Sequence, residues 1–352
     1  MGGITLSSAV RNNLNSLQAT SKLMSSVQEK LSTGKKVNSA LDNPNSFFTA
    51  KGLENRASDL STLLDDMGQS VQTLKAADEG ISAISDLVDA AKAKANQALQ
   101  TSSQSERKAY AAEYNELLTQ IEDIAKDSGY KGKNLLAGDG NNLTVTFNED
   151  GTSSLDISAI NYTDTTLSTG LNLGDLDSAS AGTATMGATT GTAGGAALTA
   201  DALITADDDF ATGDILTITD STGTELGSLE ITASTTVDDV NSFISGSSKD
   251  VSSSFAAGSF TIESSIGLTV SSDGAQADVT VTPSAEHGFS SDTKIENTLS
   301  SLQKAQNTLR SQASTFGTNL SIVQNRQDFT NAMINTLEEG AGKLTLADTN
   351  EE

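Results

Sequence analysis

The feature that most constrains this chain is a stripe of apolar residues between Leu53 and Ala98. Its members follow one another at spacings that alternate between four and three residues, with one lapse near Ala77. This 3.5-residue period is sustained over several heptads and predicts a long helix in a coiled-coil-like bundle. A helix of roughly 70 Å cannot bury such a stripe on itself, so it needs a partner. The stripe comprises Leu53, Ala57, Leu60, Leu64, Met67, Val71, Leu74, Ala77, Ile81, Ile84, Val88, Ala91, Ala95 and Ala98.

A second stripe of the same spacing runs from Ile295 to Val323, with Gln306 as its one polar member. Two matched stripes, one from each half of the chain, predict a long antiparallel, coiled-coil-like helical rod built from both chain ends. A further helix is predicted from Ser105 to Asp127, which would make a three-helix bundle. The predicted rod core comprises Leu60, Leu64, Met67, Val71, Leu74, Leu302, Leu309, Phe316 and Leu320.

Between the two stripes the apolar period changes from helix-like to two, which is typical of strands. Residues 143–158 read as a hairpin, and several strand-like runs follow between Asp207 and Thr282, with one short helix at Val237–Ile244. Residues 169–205 are rich in Gly, Ala, Ser and Thr and are interpreted as a linker and domain entry. The expected fold class is therefore mainly α with an inserted α+β or β domain.

Composition and charge exclude several functions. The formal net charge of −25 argues against binding to nucleic acid or to an anionic membrane surface. No apolar run approaches the roughly 20 residues that cross a bilayer, so membrane insertion is not expected. The chain has no Cys, and His287 is its only His, which excludes thiolate chemistry and paired-His zinc motifs. We expect no enzyme activity, no cofactor and no metal site.

The N-terminal segment carries its own apolar stripe, and its other face is polar. Two interpretations remain open: a solvated helix packed on the rod, or an assembly element that folds on a neighbouring molecule. Gly34 is expected to end this helix, and Pro44 to keep Asn43 out of helix until the helix resumes at Leu53. The predicted assembly residues are Val10, Leu14, Leu17, Val27, Leu31, Gly34, Asn38 and Pro44.

Several short motifs resemble a known family. The stretch from Leu31 to Pro44 (LSTGKKVNSALDNP) is similar to a signature near the start of bacterial flagellins. Asn12–Leu17 and Ala77–Ile81 also resemble that family, and the likeness covers roughly the first 135 residues. The segment from Ile295 to Leu346 looks, more loosely, like the returning helix of the family. The style of the motifs resembles flagellins of alphaproteobacteria.

The resemblance implies a structural subunit of the bacterial flagellar filament, outside the cell. Its expected parts are an inner-tube helix (1–31), a spoke linker (32–45), a helical rod with a β-hairpin (46–168), a variable outer α+β domain (169–290) and a returning rod helix (291–352). The expected partners are other flagellin subunits in a homopolymer, with export machinery, cap and junction proteins. Residues 1–31 lack the plan of a cleaved signal peptide, so export without cleavage is expected.

The resemblance also shows a departure, because the sequence stops at Glu352 before the further apolar helix that normally pairs with the N-terminal one. We interpret this as truncation or as a different inner layer. Two alternative functions remain open. A hook–filament junction protein shares the plan of helices at both ends, and a surface adhesin would use the β domain without matched heptads.

Overall fold

The computed structural model describes residues 8–188, 190 and 196–347. About half of the chain is helical, and the remainder contains short antiparallel sheets, which confirms helices with an inserted β-rich segment. The helices are α1 (Ser8–Thr33), α2 (Pro44–Gln100), α3 (Gln104–Asp127), α4 (Val237–Gly246) and α5 (Asp292–Thr345), with a 3₁₀ turn at Ile204–Ala206. The strands are β1 (Leu143–Thr146), β2 (Ser154–Ile157), β3 (Gly182–Gly187), β4 (Ile215–Asp220), β5 (Glu225–Glu230), β6 (Val251–Ala256), β7 (Ser259–Ser264), β8 (Leu268–Ser272) and β9 (Val279–Val281).

The chain divides into two compact units. Unit 1 is drawn from Met1–Lys75, Asn142–Ser158 and Gly317–Glu352, and unit 2 from Ala76–Asn141 and Ala159–Phe316. Each unit therefore contains part of α2 and part of α5.

In unit 1, α2 and α5 pack through a small apolar cluster. Ala57 and Leu60 of α2 meet Leu337 of α5, and all three side chains are buried. Leu53 lies against Gly340, so an earlier residue of α2 meets a later residue of α5, and the two segments run antiparallel here. The β1–β2 hairpin belongs to the same unit and pairs Leu143 with Ile157 through Thr146 with Ser154.

In unit 2, α3 lies with the adjoining parts of α2 and α5. Lys94 of α2 forms an ion pair with Glu113 of α3, with 2.6 Å between Nζ and Oε2. Gln306 of α5 donates a hydrogen bond to Asp89 of α2. The predicted apolar stripes supply the buried side chains of these helices, since Ile81, Ile84 and Val88 are all buried.

The β-rich part of unit 2 consists of two sheets and α4. One sheet has the order β5-β4-β8-β9 and the other the order β3-β7-β6, and every pair is antiparallel. A single apolar cluster joins the sheets to α4. It includes Met186, Leu216, Ile218, Val240, Ile244, Phe260, Ile262 and Val270.

The sequence interpretation of residues 169–205 as a linker is wrong for Gly182–Gly187, which form β3 and pair along β7. This strand was not evident from the composition of the segment, because its Gly and Ala residues have low β propensity. Packing explains the glycine at position 182, since a Cβ there would overlap the carbonyl oxygen of Thr282. Strand β6 was not predicted either, because its Ser-rich sequence shows no clear alternation.

The start of one helix differs from the prediction, since α2 begins at Pro44 rather than at Leu53. Helix α5 begins at Asp292, and the residue that caps it is Ser291: its Oγ accepts from the N–H of Lys294 over 3.4 Å, and its carbonyl accepts from the N–H of Ile295. Asp292 instead pairs with Arg107.

Candidate assembly surface

The apolar positions of α1 that the sequence assigns to assembly face solvent. All of Ser8–Thr33 lies in the described part of the chain, and none of these residues is buried. Leu14 is 49% exposed, Leu17 69% and Leu31 63%, and Val10 is also exposed, whereas Val27 is half-buried. Apolar surface is stabilised by about 25 cal/mol for each Å² removed from water. This row of side chains is therefore a surface that another molecule would stabilise by covering it.

The exposed apolar side chains of α1, apart from that of Leu23, share one face. Each helical residue turns by about 100°, so residues 10, 14, 17, 24 and 31 fall within one broad stripe. Asn12 and Asn15 lie on the opposite face by the same rotation. The helix is thus amphipathic, with its apolar side exposed.

Helix α1 ends at a glycine with a left-handed backbone. Gly34 has a φ of 66°, a conformation that suits the position just after a helix and strains any residue with a Cβ. The hydroxyl of Thr33, the last helical residue, donates to the carbonyl oxygen of Glu29 over 2.8 Å. The predicted role of Gly34 in ending the helix agrees with this geometry.

The segment after Gly34 folds around the carboxylate of Asp42. The main-chain N–H groups of Ser39 and Asn38 donate to Oδ2 over 2.8 and 3.0 Å. These hydrogen bonds, Ser39 first, hold the pKa of Asp42 below its ordinary value because they stabilise the charged form. The Asn38 side chain donates to Glu29 over 3.2 Å, so it ties this segment back to α1.

Asn43 and Pro44 together start α2. The side-chain oxygen of Asn43 accepts from the N–H of Ser46 over 3.1 Å, which is the hydrogen bond of a helix N-cap. Pro44 then occupies the first helical position, where its missing N–H has no intrahelical partner to lose. Pro44 begins a helix here and does not delay one.

Main-chain hydrogen bonds join residues 34–37 to the end of α5. The N–H groups of Lys36 and Val37 both donate to the carbonyl oxygen of Thr345, over 2.8 and 3.3 Å. The N–H of Ala347 donates to the carbonyl of Gly34 over 3.0 Å. The Lys36 ammonium also donates to the carbonyl of Lys343. The segment that follows α1 is thereby paired with the segment that follows α5.

The structure places the predicted rod-core residues in both units. In unit 1, Leu60, Met67, Val71 and Leu74 are buried, while Leu64 and Leu320 are half-buried. In unit 2, Leu302, Leu309 and Phe316 are buried.

Sequence reasoning missed several exposed apolar side chains of unit 1. Leu41 is 95% exposed and Phe48 65%. Leu23, Phe329 and Ile322 are exposed as well. Leu41 lies in a turn and Phe48 in the first turns of α2, so neither belongs to a heptad stripe. A search of the sequence for isolated large apolar residues beside the helix start at Asn43–Pro44 would have found both.

The described residues contain no cluster of three or more His, Asp or Glu side chains arranged to hold a metal ion. Among the helices in the described ranges, none is long and apolar enough to cross a membrane. A protein of long helices with an inserted β-rich segment and an exposed apolar helix face is the class that this fold defines.

Comparison with known proteins narrows that class. Residues 4–141 match the family described as the bacterial flagellin N-terminal helical region. Flagellin FljO of Caulobacter vibrioides is 31% identical over 139 residues, which cover 39% of this chain and 51% of that protein. Flagellin A of Helicobacter mustelae is 28% identical over 134 residues, covering 37% of this chain and 27% of that protein. Residues 4–141 of this chain are therefore similar to the N-terminal helical region of bacterial flagellins.

The extent of the likeness is partial. The chain spans about half the length of the Caulobacter relatives that it matches, and these relatives are consistent with the alphaproteobacterial style of its motifs. Among solved structures, FlgL of Xanthomonas campestris is 14% identical with a TM-score of 0.37, covering 82% of this chain and 97% of that one.

Proposed function

We propose that this chain is a structural subunit of the bacterial flagellar filament and that it polymerises through the apolar face of α1. The observation that carries the proposal is the exposure of Leu14, Leu17 and Leu31 on one side of a helix without a buried residue among those described. The match of residues 4–141 to the bacterial flagellin N-terminal helical region supports it.

A repeated contact between unlike surfaces explains how one chain makes a filament. If the apolar face of α1 binds a different surface on the next copy, the contact is heterologous and does not close on itself. Such contacts generate an open helical assembly. Burying a Leu side chain contributes about 1.5–3 kcal/mol, so three or four on one helix supply a useful share of a subunit contact.

We further propose that α2 and α5 form one antiparallel, coiled-coil-like rod. Contacts within each unit support this. In unit 1, Leu60 meets Leu337. In unit 2, Asp89 meets Gln306. In both pairs the two residue numbers sum to nearly the same value, as a constant antiparallel register requires. We also propose the division of the chain expected from its sequence. Its parts are an inner-tube helix (1–31), a spoke linker (32–45), a helical rod with a β-hairpin (46–168), an outer α+β domain (169–290) and a returning rod helix (291–352).

The charge distribution supports an outward position for the segment between the rod helices. Between Asn134 and Asp292 the only basic side chain apart from His287 is Lys249, whereas acidic residues occur throughout. Like charge on the outside keeps neighbouring filaments apart in water. We propose a location outside the cell and contacts with flagellar export, cap and junction proteins.

The test replaces one apolar side chain of α1 by a charged one. Leu17→Asp should leave circular dichroism and the urea midpoint unchanged but abolish growth on filament seeds, as judged by negative-stain microscopy and sedimentation. Asn15→Asp adds the same charge on the opposite face and is the matched control. Normal filaments from Leu17→Asp would contradict the proposed surface.

A second measurement separates a filament subunit from a junction protein. Immunogold labelling of this chain on cells should decorate flagella along their whole length. Label confined to the base would favour the junction function. Label elsewhere on the cell surface, together with binding to an added sugar or matrix ligand, would favour an adhesin.

A further inference from the structure

The start of α3 holds several distant parts of unit 2 together. The N–H of Gln104 donates to Asp220 at the end of β4, and Lys108 donates to Asp250 beside β6 over 2.6 Å. Arg107 forms an ion pair with Asp292 of α5. We call residues 102–108, with the groups they bind, the α3 clamp. The other bonds of the clamp are Thr222 Oγ1 to the Ser102 carbonyl, Thr224 Oγ1 to Ser102 Oγ, Ser105 to Asp250, and Lys108 Nζ to Ser265 Oγ.

The only histidine of the chain is part of this clamp. His287 is 3% exposed, and its Nε2 lies 2.9 Å from Oε1 of Gln104. The amide nitrogen of Gln104 donates to the carbonyl oxygen of Ser290 over 3.1 Å, which fixes the orientation of the amide. An amide oxygen only accepts, so Nε2 of His287 must carry the proton and donate.

This assignment leaves Nδ1 as a bare acceptor inside the protein. It has no hydrogen-bond partner among the residues that the structure describes. A second proton would have to reside on Nδ1, which has no hydrogen-bond partner among the described residues. The ring would then be a buried cation. Leaving a buried charge without a partner is costly.

The charged groups around the ring make a cation less favourable still. Lys108 and Arg107 approach from α3, and Lys294 from α5; Glu286, the chain neighbour of His287, is the one opposing acid among the groups that act on the ring. Asp220, Asp250 and Asp292 belong to the clamp but are engaged by Gln104, Lys108 and Arg107.

We propose that His287 makes the α3 clamp an acid-operated latch: the neutral ring holds α3 to the β-rich segment of unit 2, and protonation of the ring opens that contact. The open form gives Nδ1–H a water partner and moves the new charge away from the three cations. A cavity of about 140 Å³ beside the ring, lined by both Gln104 and His287, gives water a place to enter.

The sign and size of the effect follow from linkage. Burial, and then the charges of Lys294 and Lys108, lower the pKa of His287 from 6.5 to about 4 in the closed form. The open form therefore takes up the proton more readily, so stability of the closed latch is full above pH 6.5 and decreases as the pH falls toward 4. Between pH 7 and pH 5 the ratio of open to closed latch should rise about 20-fold.

Two carboxylates near the ring, those of Asp250 and Glu286, have pKa values below their ordinary range. The pKa of Asp250 is lowered, because the hydrogen bonds from Lys108 and Ser105 outweigh the opposing effect of its burial. The pKa of Glu286 is lowered by hydrogen bonds from Ser290 and Lys294. Both groups stay ionised at pH 5, so their protonation does not contribute to opening of the latch between pH 7 and pH 5.

The first test needs no substitution, since one histidine gives one set of imidazole resonances. NMR of the full chain should show the Nε2–H tautomer at pH 7 and no titration of the closed-form signal near pH 6.5. A signal that titrates at the ordinary value, or the opposite tautomer, would overturn the latch.

The second test measures opening directly in a chain that has no cysteine of its own. Ile266 is 1% exposed and lines the same cavity. In an Ile266→Cys variant, labelling by an acid-active disulfide reagent, divided by its rate on a cysteine peptide at the same pH, should rise about 20-fold from pH 7 to pH 5. Adding His287→Gln, which keeps a donor toward Gln104, should remove the rise.

Ala57→Cys is the control for acid unfolding elsewhere, because Ala57 is equally buried but belongs to unit 1. Its normalised labelling should not change over this range. An equal rise at Ala57, or a rise at Ile266 that persists with His287→Gln, would contradict a local latch at His287.

Discussion

The main-chain N–H of Lys36 donates to the carbonyl oxygen of Thr345 over 2.8 Å, so residues near opposite ends of the chain share a backbone hydrogen bond. The bond from Ala347 to the carbonyl of Gly34 lies beside it. Together they hold the residues that follow α1, and the left-handed turn at Gly34 makes this approach possible.

Gly34→Ala should weaken this pairing. A Cβ in the left-handed region costs about 1–2 kcal/mol, which corresponds to at least a fivefold shift in a local opening equilibrium. Hydrogen exchange of the Lys36 and Val37 amides should become faster by that factor. Gly52→Ala is the matched control: Gly52 is helical with open space around it, and the same change should stabilise α2 by about 0.5–1 kcal/mol.

Leu60 and Leu41 offer a comparison of one residue type in two environments. Leu60 is 5% exposed in the cluster with Leu337, so Leu60→Ala should lower the free energy of unfolding by about 2–4 kcal/mol. Leu41 is almost fully exposed, and Leu41→Ala should change the free energy of unfolding by less than about 0.5 kcal/mol. Urea unfolding followed by circular dichroism measures both; equal losses would contradict the packing of unit 1.

Asp250→Asn should destabilise unit 2 in a pH-dependent way. The carboxylate has a lowered pKa, so its contribution is present above the unfolded value of 3.8 and is lost as the pH falls through the lower folded value. At pH 7 the loss should be about 1–3 kcal/mol, since Lys108 and Ser105 lose a charged partner. The difference between variant and wild type should shrink toward zero at pH 2–3, as measured by urea unfolding. A constant difference across this range would argue against the ion pair.

Thr236→Ala should remove the capping box of α4. The hydroxyl of Thr236 accepts from the N–H of Asp239 over 3.2 Å, and the Asp239 carboxylate accepts from the N–H of Thr236 over 2.8 Å. Loss of an N-cap costs about 1 kcal/mol. Thr236→Ser retains the hydroxyl and should lose much less. Thermal unfolding of both variants checks the prediction.

The long helices could be predicted from sequence because their stripes are local and regular. Helix α3 and the β1–β2 hairpin fall within a residue or two of the predicted bounds. The strand β3 was missed because pairing with β7, more than seventy residues later, decides its conformation. Tertiary pairing of this kind overrides weak local propensity.

The candidate surface was predictable in part. The stripe of α1 follows from spacing alone, and none of the residues of this helix is buried in the structure. The pairing of Lys36 with Thr345 and the clamp around His287 depend on contacts between residues far apart in sequence. The single His could exclude catalytic motifs, but its burial against Gln104 could not be read from its neighbours.

The shielding of His287 has a practical consequence. The chain has one imidazole, and that ring is almost fully buried. Reagents that modify imidazoles should therefore react very slowly with the native protein. A histidine-directed modification would then act as a built-in chemical reporter, registering any event that loosens the surroundings of this one side chain.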